Sequence, residues 1–371
     1  MLRNLAIAAL SLSLIAASAE AEIVIGLAAP LQGQNAALGE QVRRGAQAAV
    51  DDINAAGGVR GEQLALAARD DACDPRKAVE VANAFVAAGV KFVAGHYCSG
   101  SSIPAAKIYE AAGVLQISPA SSLPKFTDEG GWNVFRTSTR DDAQGSFAGR
   151  FMGGKYKDAK IAILADQSPS NAANAATARS ALNAMGVSEI IFAGYTAGAK
   201  TYNELTQRMA DAGVTVIYFA GAYPEAAAIL REMKALEHTV QMISDDALAT
   251  DEFWNQAGNL GEGTLMTFPP DPLKIEAAQS VIARFREKDF APEGTTLNAY
   301  AAIQAMVRAM DATGGTDPRA MAAWLRGGNR MSTVLGDISF DAKGDLTTQP
   351  FIWLRWSEGR YSEAEDLNTA P

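Results

Sequence analysis

The chain has 371 residues, of which 48% are apolar, and a net charge of −10. That composition excludes a disordered chain, and an acidic balance without any basic run excludes nucleic acid and anionic membrane surfaces as partners. Length excludes a single compact core, because domains rarely exceed about 250 residues, so two lobes of similar size are expected.

Taken in order, the first residues read as an export signal. Arg3 supplies a basic start, residues 5–17 are apolar apart from Ser11 and Ser13, and Ala19-Glu20-Ala21 fits a cleavage site. The apolar run is short of the roughly 20 residues a membrane span requires. Cleavage after Ala21 leaves the net charge unchanged and predicts a periplasmic chain from residue 22 onward. Residues 22–29 then form a continuous apolar run suited to a parallel strand buried on both faces. A loop over 30–39 leads to a helical pattern over 41–55, stopped by Gly57-Gly58. The unit repeats, with strands at 64–69, 91–95 and 114–118 and helices at 76–88 and 103–112.

After an irregular stretch over 119–142, a second series begins. Its strands are predicted at 160–165, 190–193, 214–220, 240–244 and 264–267, with helices at 171–185, 202–212 and 224–235. Helices at 275–288, 297–312 and 318–326 follow without strands between them, and strands at 336–340 and 351–355 close the chain. Strand–helix alternation with Gly-stopped connections predicts parallel α/β sheets in both lobes. The late helices have no sheet of their own and are expected on the first lobe. The chain would then cross between lobes more than once, with loops at the carboxyl ends of both sheets facing one crevice.

The loop Gly95-His-Tyr-Cys-Ser-Gly-Ser-Ser-Ile-Pro104 follows a strand and opens a helix, with Pro104 expected at its first turn. A helix N-terminus flanked by hydroxyls suits a carboxylate or phosphate; ordinary capping by Ser101 or Ser102 is the plainer alternative. Ser99 lacks the preceding glycine of a nucleophile elbow. Cys73 and Cys98, the two cysteines, suggest one disulfide in an exported protein, against a thiol nucleophile or a metal site. His96 and His238 are the only histidines, and neither a phosphate loop nor a dinucleotide fingerprint occurs. No catalytic centre, metal or cofactor is therefore expected. Ser118-Pro-Ala-Ser-Ser122 ends another first-lobe strand and could offer a hydroxyl and a carbonyl. Ser244-Asp-Asp246 ends a second-lobe strand, where a carboxylate suits a cation or simply a turn.

Five stretches together resemble the periplasmic branched-chain and hydrophobic amino-acid-binding proteins that serve ABC importers. They are Asp51-Asp-Ile-Asn-Ala-Ala-Gly-Gly58, Asp70-Asp-Ala-Cys-Asp-Pro75, Gly95-His-Tyr-Cys-Ser99, Ile117-Ser-Pro-Ala120 and Lys343-Gly-Asp345. The resemblance implies a type I periplasmic-binding fold, two Rossmann-like lobes joined by a three-crossover hinge. The lobes would comprise 22–141 with 271–348, and 142–270 with 349–371. It also implies a Cys73–Cys98 disulfide and a monomer that passes its ligand to permease subunits. The ligand's α-carboxylate would meet Ser99 and Ser122. Its α-ammonium would meet the Ala120 carbonyl, the Ser122 hydroxyl and Asp246, with Tyr97 lining the pocket. Where the family often carries an aromatic and two tyrosines, this chain has Leu38, Ser170 and Ala222, and Tyr223 is placed to supply a shifted aromatic wall. The side-chain pocket is therefore expected to differ from that of a leucine, isoleucine or valine binder. Alternatives on the same fold are an amide, urea or aromatic-acid ligand, or a sensor acting through a separate receptor; a secreted hydrolase is disfavoured.

Overall fold

The computed structural model describes residues 22–33, 35–348 and 350–368, the Pro169 side chain apart. The predicted signal segment lies outside the described residues. The first series comprises β1 (Glu22–Ala29), α1 (Ala36–Ala55), β2 (Gln63–Asp70), α2 (Pro75–Ala87), β3 (Phe92–Gly95), α3 (Ser99–Ala112), β4 (Leu115–Ser118), α4 (Lys125–Asp128) and β5 (Val134–Arg136). Its strands form a parallel sheet in the order β2-β1-β3-β4-β5. The continuous apolar run of β1 is an interior strand of this sheet, and its last five residues are all buried, as a strand covered on both faces requires.

The second series comprises α5 (Ala143–Lys155), β6 (Ile161–Ala165), α6 (Pro169–Ala184), β7 (Ile191–Gly194), α7 (Asn203–Ala212), β8 (Val216–Ala220), α8 (Tyr223–Ala235), β9 (Gln241–Ser244), α9 (Asp251–Ala257) and β10 (Leu265–Phe268). The chain then returns to the first lobe through α10 (Gln279–Arg286), α11 (Thr296–Thr313), α12 (Pro318–Arg326) and a hairpin of β11 (Met331–Thr333) and β12 (Gly336–Ile338). Leu297, Ile303, Met306, Met310 and Leu325 of these helices share one buried core with Ile25, Leu27 and Phe92. Finally β13 (Ile352–Ser357) and β14 (Arg360–Glu363) join the second sheet antiparallel, in the order β14-β13-β10-β9-β8-β6-β7. No described helix is long and apolar enough to cross a membrane.

Several expectations are corrected. Helix α1 begins at Ala36, five residues earlier than the pattern predicts. Gly39 lies inside it as a close-approach site, where a Cβ would collide with the Pro30 carbonyl. Helix α3 begins at Ser99, so Pro104 is interior and Ser101 and Ser102 are buried helix residues, not caps; the N-cap is Cys98. Gly100, whose carbonyl Pro104 leaves without its intrahelical donor, is exposed. The stretch 119–142 holds the short α4 and β5, the latter buried but only three residues long. The strand expected over 336–340 pairs with β11 only at 336–338, in a small sheet of its own, and Phe340 makes an isolated bridge with Leu346.

Helix α5 is announced by no hydrophobic period. Instead Gly145, Gly149 and Gly153 recur every four residues on one face. A Cβ at either of the first two would strike α6 backbone, at Asn174 O and Ala178 O. The stripe lets the two helices approach closely.

Candidate functional site

Strand order determines where loops part. In the first sheet β1 has β2 on one side and β3 on the other; in the second, β6 lies between β7 and β8. At such switch points the loops after adjacent strands diverge and leave a crevice at the carboxyl ends. Leu38 lies in the helix after β1, Ser99 follows β3, Ser170 follows β6 and Ala222 follows β8, so these four stand around the two crevices.

On the first lobe the loops after β3 and β4 are clamped together. Ser118 Oγ donates to His96 O at 2.7 Å and accepts from Ser121 N at 2.9 Å. Ser102 and Ser121 hydroxyls pair at 2.6 Å, and Ser121 Oγ also donates to Tyr97 O at 3.3 Å. Arg136 Nη1 donates to Ser121 O at 2.7 Å from a fully buried position, and its guanidinium pairs with Asp345 at 2.6 Å. These bonds fix the half-buried Ala120 and Ser122 beside the open end of α3. Ser99 is the first residue of α3, and its Oγ accepts from Leu123 N at 3.3 Å. Tyr97 is half-buried against the first-lobe core, and burial pushes its phenol above the usual range.

Cys73 and Cys98 are joined in a disulfide with Cα atoms 5.4 Å apart, so Cys98 carries no thiolate. His96 Nδ1 lies 2.6 Å from Asp71 Oδ2 and its Nε2 3.0 Å from the Tyr109 hydroxyl, all three residues being fully buried. That histidine braces the loop after β3 from within the core and has no exposed ring atom to offer as a catalyst.

On the second lobe the acid pair divides. Asp246 is exposed and its Oδ1 accepts from Gln144 Nε2 at 3.3 Å. Asp245 is buried and accepts from Asn174 Nδ2 at 2.8 Å and from Ala247 N at 3.0 Å. Burial, reinforced by the nearby charges of Asp246 and Asp166, pushes the Asp245 carboxyl up to about 6. Sequence reasoning selects Asp246 and passes over Asp245, Asn174 and Gln144. The doublet Asp245-Asp246 is the available signal, and only burial distinguishes its members. Ser170 in the first turn of α6 and Ala222 at the N-cap of α8 are exposed, whereas Tyr223 is half-buried against the second-lobe core.

A cavity of about 750 Å³ lies between the lobes, lined by Ala120 and Ser122 together with residues of all three crossing segments, among them Thr139, Phe268 and Thr348. The other predicted site residues, Leu38, Tyr97, Ser99, Ser170, Ala222, Tyr223 and Asp246, lie outside its lining.

This architecture is that of the type I periplasmic-binding proteins: two α/β lobes, three connections and a cleft at the carboxyl ends of both sheets. Residues 22–360 match the family described as periplasmic binding protein, and the chain belongs to that family. Among its relatives, "Leu/Ile/Val-binding protein homolog 2" of Brucella abortus is 44% identical over 339 residues, covering 91% of each chain. "Amino acid binding protein" of Pseudomonas aeruginosa is 40% identical and covers 97% of each. Among solved structures, an ABC transporter substrate-binding protein of Desulfitobacterium hafniense in complex with Leu superposes with a TM-score of 0.69. It is 26% identical, and the match covers 92% of this chain and 99% of that one.

Proposed function

We propose that the chain is an extracytoplasmic solute-binding protein that captures an amino acid between its lobes and delivers it to the permease of an ABC importer. Its lobes comprise 22–141 with 271–348, and 142–270 with 349–371. The observation that carries the reading is the opposition of chemistries at the sheet ends: hydroxyls and a helix N-terminus on the first lobe, a carboxylate pair on the second. The names of the relatives, binders of leucine, isoleucine and valine or of amino acids, support the same class.

The α-carboxylate meets Ser99 at the open end of α3 and the Ser122 hydroxyl, where the helix dipole favours an anion. The α-ammonium meets the Ala120 carbonyl and then, on closure, Asp246 with Asp245 behind it. Two carboxylates crowded at one strand end repel each other, and a cation placed beside them relieves that repulsion. Closure excludes water and strengthens both contacts, and a ligand lacking either charge leaves a desolvated partner unpaired at a cost of several kcal/mol. The chain works without a cofactor and as a monomer.

Isothermal titration of the mature protein with the common amino acids tests this. At least one should bind with a Kd near or below about 1 μM. Ser122→Ala and Asp246→Asn should each weaken it by about tenfold or more, equivalent to roughly 1.4 kcal/mol. If no amino acid binds, or both variants bind as tightly as the wild type, the reading is wrong.

A further inference from the structure

His96 is fully buried and outside the anchor set, yet both halves of that set lead back to it. Its ring sits between two neighbours. Nδ1 lies 2.6 Å from Asp71 Oδ2, on the loop after β2, and Nε2 lies 3.0 Å from the Tyr109 hydroxyl, on α3. Its carbonyl accepts from Ser118 Oγ at 2.7 Å, at the end of β4, and from Ser102 Oγ at 3.2 Å, on α3. One residue thus joins the segments after β2, β3 and β4 to the helix whose first residue is Ser99.

The contacts close into a ring. Asp71 Oδ1 accepts from Cys73 N at 3.0 Å, Cys73 is bonded to Cys98, and Cys98 stands between Tyr97 and Ser99. Toward the other anchor, Ser118 Oγ accepts from Ser121 N at 2.9 Å, and Ser122 is the next residue. Every polar side-chain atom of Asp71, His96 and Tyr109 has a partner. A fully satisfied buried network adds little stability over an apolar core of the same volume; what it does is hold one arrangement. Here that arrangement is the mutual placement of two loops beyond the last paired residues of β3 and β4, where no sheet pairing fixes them.

From these observations we infer that His96, oriented by Asp71 and Tyr109, is a positioning residue for ligand binding. It sets the spacing of Ser99 and Ser122, the two hydroxyls assigned to the ligand's α-carboxylate, and so rests on the anchoring reading above. Loops ordered before the ligand arrives need no ordering at the expense of binding energy. Loosening the histidine therefore lowers affinity for the carboxylate, beyond any loss of stability.

The test compares His96→Asn and Tyr109→Phe with the wild type in two measurements on the mature protein. One is thermal unfolding. The other is titration with leucine, or whichever common amino acid the wild type binds best, and with the α-amide of the same amino acid. Tyr109→Phe removes one hydroxyl and keeps the imidazole, so it reports even if His96→Asn does not fold. His96→Asn should weaken the amino acid by about tenfold or more and its amide by less than about threefold. Tyr109→Phe should act in the same direction to a smaller extent. Added to Ser99→Ala, His96→Asn should cost less affinity than it does alone, because one of the hydroxyls it places is already gone. If the variants lower the melting temperature but keep the wild-type preference for acid over amide, the histidine is a core residue only, and the inference falls while the anchors stand. If the wild type binds the amide as tightly as the amino acid, or binds no amino acid, the anchoring reading falls and takes this inference with it.

Discussion

Asp245 shows how one buried carboxylate couples the stability of the fold to pH. Its carboxyl is held near 6 in the folded chain, above the ordinary value of 3.8, with desolvation the largest cause. A raised acid favours its protonated form, so the folded state binds more protons than the unfolded state between about pH 4 and 6, and stability falls as pH rises through that window. Each pH unit separating the folded titration point from the unfolded one is worth about 1.4 kcal/mol. Relative to Asp245→Asn, the wild type should therefore lose up to roughly 3 kcal/mol between pH 4 and 7. Urea denaturation of both proteins at several pH values measures the difference; parallel pH profiles would refute it. Of the proposed site, the loops that hold Ser99, Ala120 and Ser122 stand out in the sequence because each follows a strand and carries hydroxyls, while the roles assigned to these residues come from the family resemblance. Asp245 does not stand out, because adjacent aspartates differ only in which one the fold buries.

Among the elements, α5 is the instructive case. Four glycines in its thirteen residues suppress both helix propensity and any apolar stripe. What makes it a helix is the neighbour it can approach, α6, and that pairing is a tertiary fact. Gly149→Ala should cost about 1–3 kcal/mol, since its Cβ would strike the Ala178 carbonyl and the helices would have to part. Gly154→Ala, with open space around its Cβ, should instead stabilise by up to ~1 kcal/mol. Thermal melts of the two variants should move in opposite directions, and equal shifts would remove the packing argument. By contrast β1, α7, α11 and α12 were legible, because their apolar runs or periods are carried by residues that the fold buries.

At the scale of the whole molecule, distant segments are tied by buried charge. Asp345, at the last crossing between lobes, pairs with the fully buried Arg136 and accepts from Thr127 Oγ1 at 2.9 Å, while Arg136 in turn holds the Ser121 carbonyl. Asp345→Ala leaves a buried guanidinium without its counter-charge, and the expected loss is about 3–5 kcal/mol in chemical denaturation. A loss within experimental error would show that the pair is solvated and the coupling absent. The amino-acid sequence alone determined the alternating α/β class, the need for two lobes and the cysteine pair, because hydrophobic period, chain length and residue count are local or additive properties. The tertiary structure alone decided that β13 and β14 form an antiparallel edge on a second sheet whose other strands are parallel. It also decided which of two aspartates is buried. Those outcomes depend on contacts between residues far apart in the chain, for which a linear pattern carries no period.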